Sequence, residues 1–312
     1  MSATSRRCGS SPAAVAALAL AVVATGACGS SGPGVTPGEI TQLAPPLAGW
    51  EDVLSEYHVQ SPVLGIASRN VKVLLPPGYL EAANADRRYP VLYMNDGQNC
   101  LDHDPFGHGG WQVHTVSRDL VERGLMAPAI IVLVDNSSSR EQEYVPGAGT
   151  SSGANADGYL DFVEYVVRWV DGRYRTIADP SARAIGGSSF GGLASLYAGW
   201  TRPGVFGIVM AMSPSLWRAS IGADELVKLP VRIYVDSGTV DGSGGDDGCA
   251  ATTALAELLV ERGWTLHVDL EHAVGQGHGH SEEFWRARLR PSTADDLPGV
   301  WPGALPFLFP PE

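Results

Sequence analysis

The stretch Gly186-Gly187-Ser188-Ser189-Phe190-Gly191-Gly192 lies between a short apolar segment, 182–185, and a segment of helical composition, 193–197. A strand that turns sharply into a helix forces the serine at the turn outward, and small neighbours let the two elements approach without a Cβ collision. Positions 187 to 191 also fit the pattern G-x-S-x-G. Such a short pattern recurs by chance in glycine-rich loops, but its place between two regular elements favours Ser189 as a nucleophile.

Apolar runs of strand length alternate with helical patterns along the rest of the chain. The runs are 71–75, 90–94, 130–134, 182–185, 208–212, 231–235 and 265–270, and the helical patterns are 159–170, 253–261 and 282–289. The central runs are nearly continuous in Val and Ile, as in strands that are buried on both faces. This order predicts an α/β fold with a mostly parallel sheet and helices on both faces. Its chemistry is expected in the loops that follow the carboxyl ends of the strands.

Length and charge restrict the possible classes of protein. The chain has 312 residues, of which 44% are hydrophobic, so one sizeable core and a single domain are expected. The formal net charge is -13 and the isoelectric point is about 5.0. Because a nucleic-acid partner requires a basic surface, we expect none here.

The N-terminal residues have the composition of an export signal. Arg6-Arg7 precedes an apolar run, 13–25, that is too short to span a bilayer but suits the core of a signal peptide. Small residues stand before Cys28, and the segment resembles the lipobox of bacterial lipoproteins, in which the cysteine is lipidated. These features predict a signal peptide over 1–27 and a lipid on Cys28.

The predicted organisation continues with a flexible Gly/Ser/Pro tether over 28–46 and a folded domain over 47–312. The protein is expected outside the cytoplasm, in a bacterial cell envelope, with the lipid on Cys28 as its membrane anchor. Position 25 is Thr where a lipobox prefers Leu. Ordinary secretion after cleavage near Ala27 is therefore the alternative.

Two cysteines remain in the folded domain, Cys100 and Cys249. An even pair in an oxidising compartment favours a disulfide bond between them. The alternative is two unrelated small buried residues, because sequence spacing does not determine the geometry that a bridge needs.

A serine hydroxyl is a weak nucleophile near neutral pH and needs a base within hydrogen-bond reach. Two histidines, His278 and His280, follow the last predicted strand, and His280 directly precedes the last predicted helix. Both are candidates for the base. His272, at the end of its strand, is interpreted as structural.

The base in turn needs a carboxylate that orients it. Asp236 stands at the end of a predicted strand, where it can simply end that element, whereas Asp241 follows after a turn. Asp247 is the alternative acid, and Asp246 or Asp247 could also cap the next helix. Calcium binding by this Asp- and Gly-rich loop is the less favoured interpretation, because its spacing matches no known calcium loop.

Neither a metal nor a cofactor is expected. A loose group of histidines and carboxylates follows the second predicted strand, but its spacing suits no compact metal site, and loop and helix-start roles are favoured. The group consists of Asp102, His103, Asp104, His108 and His114.

An oxyanion hole requires two backbone donors. The N–H of Phe190, directly after the candidate nucleophile, supplies one. The second is expected from the loop after the strand 90–94, where the N–H of Gln98 is the best candidate.

These residues resemble the putative-esterase (esterase D-like) family of the α/β-hydrolases, which includes S-formylglutathione hydrolases, feruloyl and enterobactin esterases and the antigen 85 mycolyltransferases. The resemblance extends from Val63 to Leu289. It rests on Arg88 to Asn99, which is similar to the family's "rYPVLYmhDGQN"; on Arg140 with Glu143 to Pro146 ("R..EY.P"); on Gly186 to Leu193 ("GGSSxGGL"); on Tyr234 to Asp241 ("D-x-G-x-x-D"); and on Gly279 to Trp285 ("GHxExxW").

The resemblance implies an α/β-hydrolase fold and a serine carboxylic-ester hydrolase that works through an acyl-enzyme without a cofactor. It implies Ser189 as nucleophile, His280 rather than His278 as base, and Asp241 as acid. Two positions depart from the family pattern: Cys100, where apolar residues are usual, and the insert 242–248. Because of that insert, Asp247 remains an alternative acid.

The substrate expected from the resemblance is a small-molecule or glycan-linked ester. An acyltransferase of the antigen 85 type on the same site, and a non-catalytic surface binding protein, are the alternatives. Four aromatic residues could line a substrate pocket or belong to the core: Trp111, Tyr144, Phe190 and Trp217.

Overall fold

The computed structural model describes residues 38–150, 153, 155–218, 227–240, 245–293 and 301–312. The expected signal peptide, the lipidation site Cys28 and the candidate acid Asp241 lie outside these residues. Within the described part of the chain, every helix is too short or too polar to cross a bilayer.

The described residues form a nine-stranded sheet with the order β1-β2-β3-β5-β4-β6-β7-β8-β9. The strands are β1 Ile40–Gln42, β2 Leu54–Val59, β3 Arg69–Leu74, β4 Val91–Asn95, β5 Ile130–Val134, β6 Arg183–Ser188, β7 Ile208–Met212, β8 Arg232–Gly238 and β9 Leu270–Gly275. Strand β1 pairs antiparallel with β2, β2 with β3, and β3 with β5. All pairs from β5 to β9 are parallel, so the carboxyl ends of these strands lie at the same edge.

Helices cover both faces of the sheet. They are α1 Val113–Glu122, α2 Arg140–Tyr144, α3 Ala156–Arg173, α4 Phe190–Thr201, α5 Cys249–Glu261, α6 Glu282–Arg288 and α7 Ala304–Leu308. Side chains of β7 alternate between the two faces: Val209 and Ala211 pack in the core shared with α3, α4 and α5, whereas Met210 and Met212 pack in the core shared with α1, α6 and α7. This alternation is the period-two pattern of a strand that is buried on both sides.

The predicted α/β fold is confirmed, and two predicted boundaries were wrong. The last strand begins at Leu270 rather than at 265, because Asp269 accepts a hydrogen bond from the Thr265 amide and His267 has a φ of +63°, which makes a turn. The expected tether, 28–46, contains β1, which pairs with β2 at the edge of the sheet.

The expected Cys100–Cys249 bridge was also wrong. Cys100 is a free, buried thiol whose Sγ lies 3.6 Å from the carbonyl oxygen of Asp96, whereas Cys249 is disulfide-bonded and therefore does not pair with it. Burial, with the nearby negative charge of Asp96, raises the pKa of the Cys100 thiol well above its usual value. The even number of cysteines was a poor guide because pairing depends on side-chain direction, which spacing does not reveal.

Candidate active site

Ser189 occupies a strained turn between β6 and α4. Its φ is +56° and its ψ is -123°, a conformation that a non-glycine residue rarely adopts. The Ser189 amide donates to the Met212 carbonyl at 3.0 Å, and the Ser189 carbonyl accepts from Leu193 at 3.1 Å. These bonds to β7 and to the first turn of α4 hold the strained residue at the carboxyl edge of the sheet.

The two glycines of G-x-S-x-G are required by close contacts. A Cβ on Gly187 would lie 2.9 Å from the backbone carbon of Gly191, and a Cβ on Gly191 would lie 2.9 Å from Oδ2 of Asp96. Contacts this short do not occur for real Cβ atoms, so any side chain here would push the strand and the helix apart. The geometry agrees with the strand-to-helix turn that the sequence predicts.

His280 pairs with Asp247. Its Nδ1 lies 2.6 Å from Asp247 Oδ1, the Asp247 side chain is fully buried, and 39% of the His280 side chain is exposed. The carboxylate that contacts His280 is thus the one that the sequence left as the alternative to Asp241. Asp246, the neighbouring carboxylate, instead accepts hydrogen bonds from the amides of Gly248 and Ala250 at the start of α5.

The second carboxylate oxygen of Asp247 is held by two further donors. The Ser213 hydroxyl donates to Asp247 Oδ2 at 2.6 Å, and the Gly238 amide donates to the same oxygen at 2.6 Å. A side chain at position 238 would collide with this arrangement, since a Cβ there would lie 2.0 Å from the carbonyl oxygen of His278. The Asp247 carboxylate is therefore fixed by contacts to the loops after β7, β8 and β9.

Behind Asp247 lies a buried ion pair. Arg288 is fully buried, and its Nε donates to Asp236 Oδ2 at 3.0 Å. Its Nη2 donates to the Ser213 hydroxyl at 2.9 Å, and Trp285 Nε1 donates to the same hydroxyl at 3.0 Å. Ser213 therefore receives two hydrogen bonds and gives one, which uses the hydroxyl's full capacity and directs its proton to Asp247.

Ser215 links the nucleophile to the same loop. The Ser189 hydroxyl lies 3.3 Å from the Ser215 hydroxyl, and the Ser215 amide donates to the Ser189 carbonyl at 3.1 Å. Among the described residues, Ser215 is the side-chain partner of Ser189, and a hydrogen bond between Ser189 and His280 is not formed. Serine–base hydrogen bonds are often long in the free state of an enzyme and shorten when substrate binds.

The loop after β4 is held in place by charged and polar contacts. Asp96 has a φ of +57°. Its carboxylate accepts two hydrogen bonds from Arg140, at 2.6 and 2.7 Å, and its amide donates to the Tyr144 hydroxyl at 3.2 Å. The Asn95 side chain donates to the Gly191 carbonyl at 2.9 Å and accepts from Tyr159 at 2.5 Å. These contacts tie the loop to α2, α3 and the first turn of α4.

The two predicted oxyanion donors lie on neighbouring elements. Phe190 is the first residue of α4, where a backbone N–H has no partner inside the helix. Gln98 lies in the single helical turn Gly97–Asn99 after β4, and β4 pairs with β6, the strand that ends at the nucleophile. Their role in binding an oxyanion stays a prediction.

Aromatic and cationic side chains contact Phe190, the residue after Ser189. Trp217 is 78% exposed, and its ring centroid lies 6.4 Å from that of Phe190. The Arg140 guanidinium lies 5.2 Å from the Phe190 ring on its other flank. Trp111 and Tyr144, which were also candidates for the pocket, are buried in the core.

The remaining histidine candidates have structural surroundings. His278 is buried, and its ring packs 4.8 Å from Phe284 and 5.1 Å from Trp301, in agreement with the choice of His280 as base. His272 accepts or donates a 3.3 Å hydrogen bond with Thr252, and burial lowers the pKa of His272 to about 4. His114 is buried 3.4 Å from Asp102.

Sequence reasoning missed three residues of the site: Ser213, Ser215 and Arg288. A usable signal existed for the first two, because Ser213-Pro214-Ser215 directly follows a buried strand at the same sheet edge as Ser189. Arg288 gave no signal, since an arginine in the last turn of a short helix normally lies in solvent.

The fold and this geometry agree with a comparison to protein families. A family model described as "Putative esterase" matches residues 66–295, and the chain belongs to that family. The protein is accordingly an esterase with an α/β-hydrolase fold.

Individual relatives are more distant. The chain is 23% identical over 264 residues to the iron(III) salmochelin esterase of Escherichia coli O6:H1. This alignment covers 79% of the chain and 59% of that protein. It is 33% identical over 141 residues to the iron(III) enterobactin esterase of E. coli K12, over 43% of this chain and 30% of that protein. The chain therefore spans less than two thirds of the length of either protein.

Solved structures share the fold. A ferulic acid esterase superposes with a TM-score of 0.57 at 20% identity, over 76% of this chain and 93% of that one. The enterobactin esterase from Shigella flexneri, solved with 2,3-di-hydroxy-N-benzoyl-glycine, superposes with a TM-score of 0.53 at 21% identity, over 80% of this chain and 56% of that one.

Proposed function

We propose that the protein hydrolyses carboxylic esters through a triad of Ser189, His280 and Asp247. The observation that carries the proposal is the 2.6 Å contact between His280 Nδ1 and the buried Asp247 carboxylate, at the same sheet edge as the strained Ser189. Pairing of Nδ1 with a carboxylate leaves Nε2 of the imidazole for the serine proton.

In the proposed reaction the Ser189 hydroxyl turns from Ser215 toward His280 Nε2 and attacks the ester carbonyl. His280 takes the hydroxyl proton and passes it to the leaving alcohol, and an acyl-serine remains. A water then gives one proton to His280 and attacks the acyl-serine, and His280 returns that proton to the Ser189 oxygen as the acid is released. Asp247 keeps the imidazole in the required tautomer and stabilises its charged form at each transfer.

The developing oxyanion would be bound by the backbone N–H groups of Phe190 and Gln98. Support for Phe190 comes from its place as the first residue of α4, whose amide is free of intrahelical bonds. Support for Gln98 comes from the bonds that hold its loop, above all the two between Asp96 and Arg140. Such fixed donors need no reorganisation during the reaction.

The preferred acyl group in this proposal is a planar aromatic acid. The exposed ring of Trp217 and the half-buried ring of Phe190 offer faces beside the nucleophile, with Arg140 adjacent. Aromatic rings pack on such faces in offset or edge-to-face arrangements. One similar solved structure is a ferulic acid esterase, and ferulic acid is a planar aromatic acid.

We further propose that the enzyme works outside the cytoplasm, with its N-terminus lipidated at Cys28. The apolar run before Cys28 and the Gly/Ser segment after it support this location. Membrane affinity would come from the acyl chains, at about 0.8 kcal/mol per buried methylene. Mass spectrometry of the mature N-terminus tests the anchor, and an unmodified chain that begins elsewhere would leave ordinary secretion.

The experiment that tests the activity has two parts. A fluorophosphonate probe should label the purified protein at Ser189, identified by peptide mass spectrometry, and a panel of acetyl, butyryl, feruloyl and dihydroxybenzoyl esters should show which acids are released. Labelling at another residue, or hydrolysis that survives full labelling of Ser189, would refute the proposed nucleophile.

A further inference from the structure

A second cluster of titratable side chains lies next to the candidate triad. It combines Asp104 and His108, from the loop after β4, with Glu282, the first residue of α6. His108 Nδ1 lies 3.1 Å from Glu282 Oε2 and 3.7 Å from Asp104 Oδ1, and one ligand atom of each residue lies within 4.8 Å of the others. The members come from segments 174 residues apart, which explains why local spacing gave no metal pattern.

The two carboxylates of the cluster are buried without a permanent cation. The side chains of Asp104 and Glu282 are 0% and 3% exposed, and among the described residues His108 is the one basic group within ion-pair distance of either. An imidazole neutralises a carboxylate only when it is protonated.

The buried Glu271 pairs with a histidine, His267, but three other buried carboxylates have a lysine or arginine. The pairs are Glu143 with Arg69, Asp236 with Arg288, and Asp135 with Lys72. Buried carboxylates are normally paired with such a cation or bound to a metal ion, and two carboxylates that share a single imidazole are therefore suited to receive a cation.

An unsatisfied oxygen lies beside the same cluster. The Asn99 side-chain amide donates to Glu282 Oε1 at 3.1 Å, while its Oδ1 is buried and has no hydrogen-bond partner among the residues that the structure describes. Buried polar atoms are rarely left without a partner, and those that are often face an ion or a water. A metal-bound water is a donor that this oxygen could accept from.

We propose that Asp104, His108 and Glu282 bind one divalent cation of the zinc type. With metal–ligand bonds of about 2.1 Å, neighbouring ligands of a tetrahedral zinc ion lie about 3.4 Å apart, and the two distances from His108 Nδ1 lie on either side of that value. An imidazole nitrogen with two carboxylate oxygens suits Zn²⁺ better than Ca²⁺, which takes oxygen ligands almost exclusively.

The surroundings support a prepared site with access for the ion. Asp104 is oriented by the Phe106 amide, at 2.7 Å to Oδ1, and by the Gly110 amide, at 3.0 Å to Oδ2. The His108 side chain is 41% exposed, so the ion reaches the buried carboxylates past this residue. A bound ion would join the loop after β4 to the start of α6, where Glu282 lies two residues after His280. The ion would hold these two segments together without taking part in ester chemistry.

The test is a zinc titration of the purified, tag-free protein after treatment with a chelator. We expect one Zn²⁺ per chain with a dissociation constant of about 1 μM or tighter, and a melting temperature that rises with zinc concentration. His108→Ala should weaken binding by about tenfold or more, and Glu282→Gln should do the same. The matched control is His103→Ala, which removes an exposed histidine of the same loop and should leave binding unchanged.

The proposal is overturned by three results. The first is the absence of saturable zinc binding, which would leave the cluster as an ion pair. The second is equal affinity in the wild type and His108→Ala. The third is a loss in His103→Ala as large as in His108→Ala. Because binding and melting are measured without substrate, none of these outcomes depends on the proposed esterase mechanism.

Discussion

The Ser213 hydroxyl donates a 2.6 Å hydrogen bond to Asp247 Oδ2, although Ser213 follows β7 and Asp247 lies beyond β8. The loop after β7, the strand between β6 and β8, thus contributes a contact to the candidate acid Asp247. Through Ser215 the same short loop contacts the Ser189 hydroxyl. The geometry of both ends of the candidate triad therefore depends on residues 213–215.

Replacement of Ser213 by Ala should lower kcat by about 10- to 100-fold with little change in KM, because a hydrogen bond to a charged group contributes about 1.5–3 kcal/mol. The measurement is the steady-state hydrolysis of an aryl ester. Ser237→Ala is the matched control, since Ser237 is equally buried but bonds to Thr252 at 2.8 Å instead of to the site. Equal losses of kcat in the two variants would mean that Ser213 acts only through general stability.

Replacement of Ser189 by Ala should reduce ester hydrolysis on the order of 10⁴-fold or more, because no other group can form the acyl-enzyme. Ser188→Ala is the control. Ser188 is buried at the end of β6, so its loss should have a milder effect. The measurement is the turnover of a simple aryl ester together with fluorophosphonate labelling. Near-normal turnover by Ser189→Ala would rule out the mechanism.

Replacement of Asp247 by Asn should lower kcat on the order of 10⁴-fold, because the imidazole loses the partner that fixes its tautomer. Asp246→Asn removes the same charge from the neighbouring position and should keep its turnover, since the Asp246 carboxylate accepts hydrogen bonds from the amides of Gly248 and Ala250 rather than from His280. Asp241→Asn should likewise remain active. A large loss of turnover in Asp241→Asn, together with an active Asp247→Asn, would identify Asp241 as the acid instead.

Replacement of Trp217 by Ala should raise KM for feruloyl-type esters by about 2- to 10-fold, because a stacked aromatic pair contributes about 0.5–1.5 kcal/mol. Acetyl esters, which have no ring to stack, should be hydrolysed as before. Phe106→Ala removes another exposed ring and should leave both substrates unaffected. Equal changes for acetyl and feruloyl esters would contradict an aromatic acyl site at Trp217.

The free energy of unfolding should decrease on acidification between about pH 6.5 and pH 4. Burial lowers the pKa of His272 from 6.5 to about 4, so in this interval the unfolded state binds more protons than the folded state. The stabilisation is fully present above pH 6.5 and falls by about 3 kcal/mol by pH 4. Burial also lowers the pKa of His114, which adds to the same slope.

Urea denaturation at several pH values measures this slope. His272→Gln keeps a hydrogen-bonding group near Thr252 but does not titrate, so its stability should depend less on pH than that of the wild type. His103→Gln, at an exposed position, should retain the wild-type slope. An unchanged slope in His272→Gln would show that other groups cause the acid sensitivity.

The sequence predicted the central parallel strands and the sharp turn at Ser189 because both depend on local patterns. Runs such as 130–134 and 208–212 are continuous and apolar, and the structure has strands with the same bounds. The turn at Ser189 follows from glycines that are needed for close approach, as the contacts of Gly187 and Gly191 show. The edge strand β1 could not be predicted in this way, because it has three residues, is partly exposed and therefore has no continuous apolar run.

The sequence could not decide which carboxylate contacts His280, and the reason is physical. Spacing from the end of β8 favoured Asp241, but the distance along a glycine-rich loop does not determine which carboxylate turns inward. Asp247 is fixed by the Gly238 amide and the Ser213 hydroxyl, which are contacts between loops. The contact between His108 and Glu282 could not be predicted for the same reason, since the two residues lie on different elements, 174 residues apart in sequence.

The buried thiol of Cys100 gives this protein an internal reporter of local opening. Its Sγ lies directly behind the loop of Gln98, and burial keeps it protonated and out of contact with reagents. An alkylating reagent can therefore modify Cys100 only during the moments when this loop leaves the core. The rate of modification, followed by mass spectrometry at that residue, measures the free energy of such openings under native conditions. A bound substrate analogue that holds the loop should slow the reaction, so one unreactive sulfur can reveal occupancy of the site without any turnover assay.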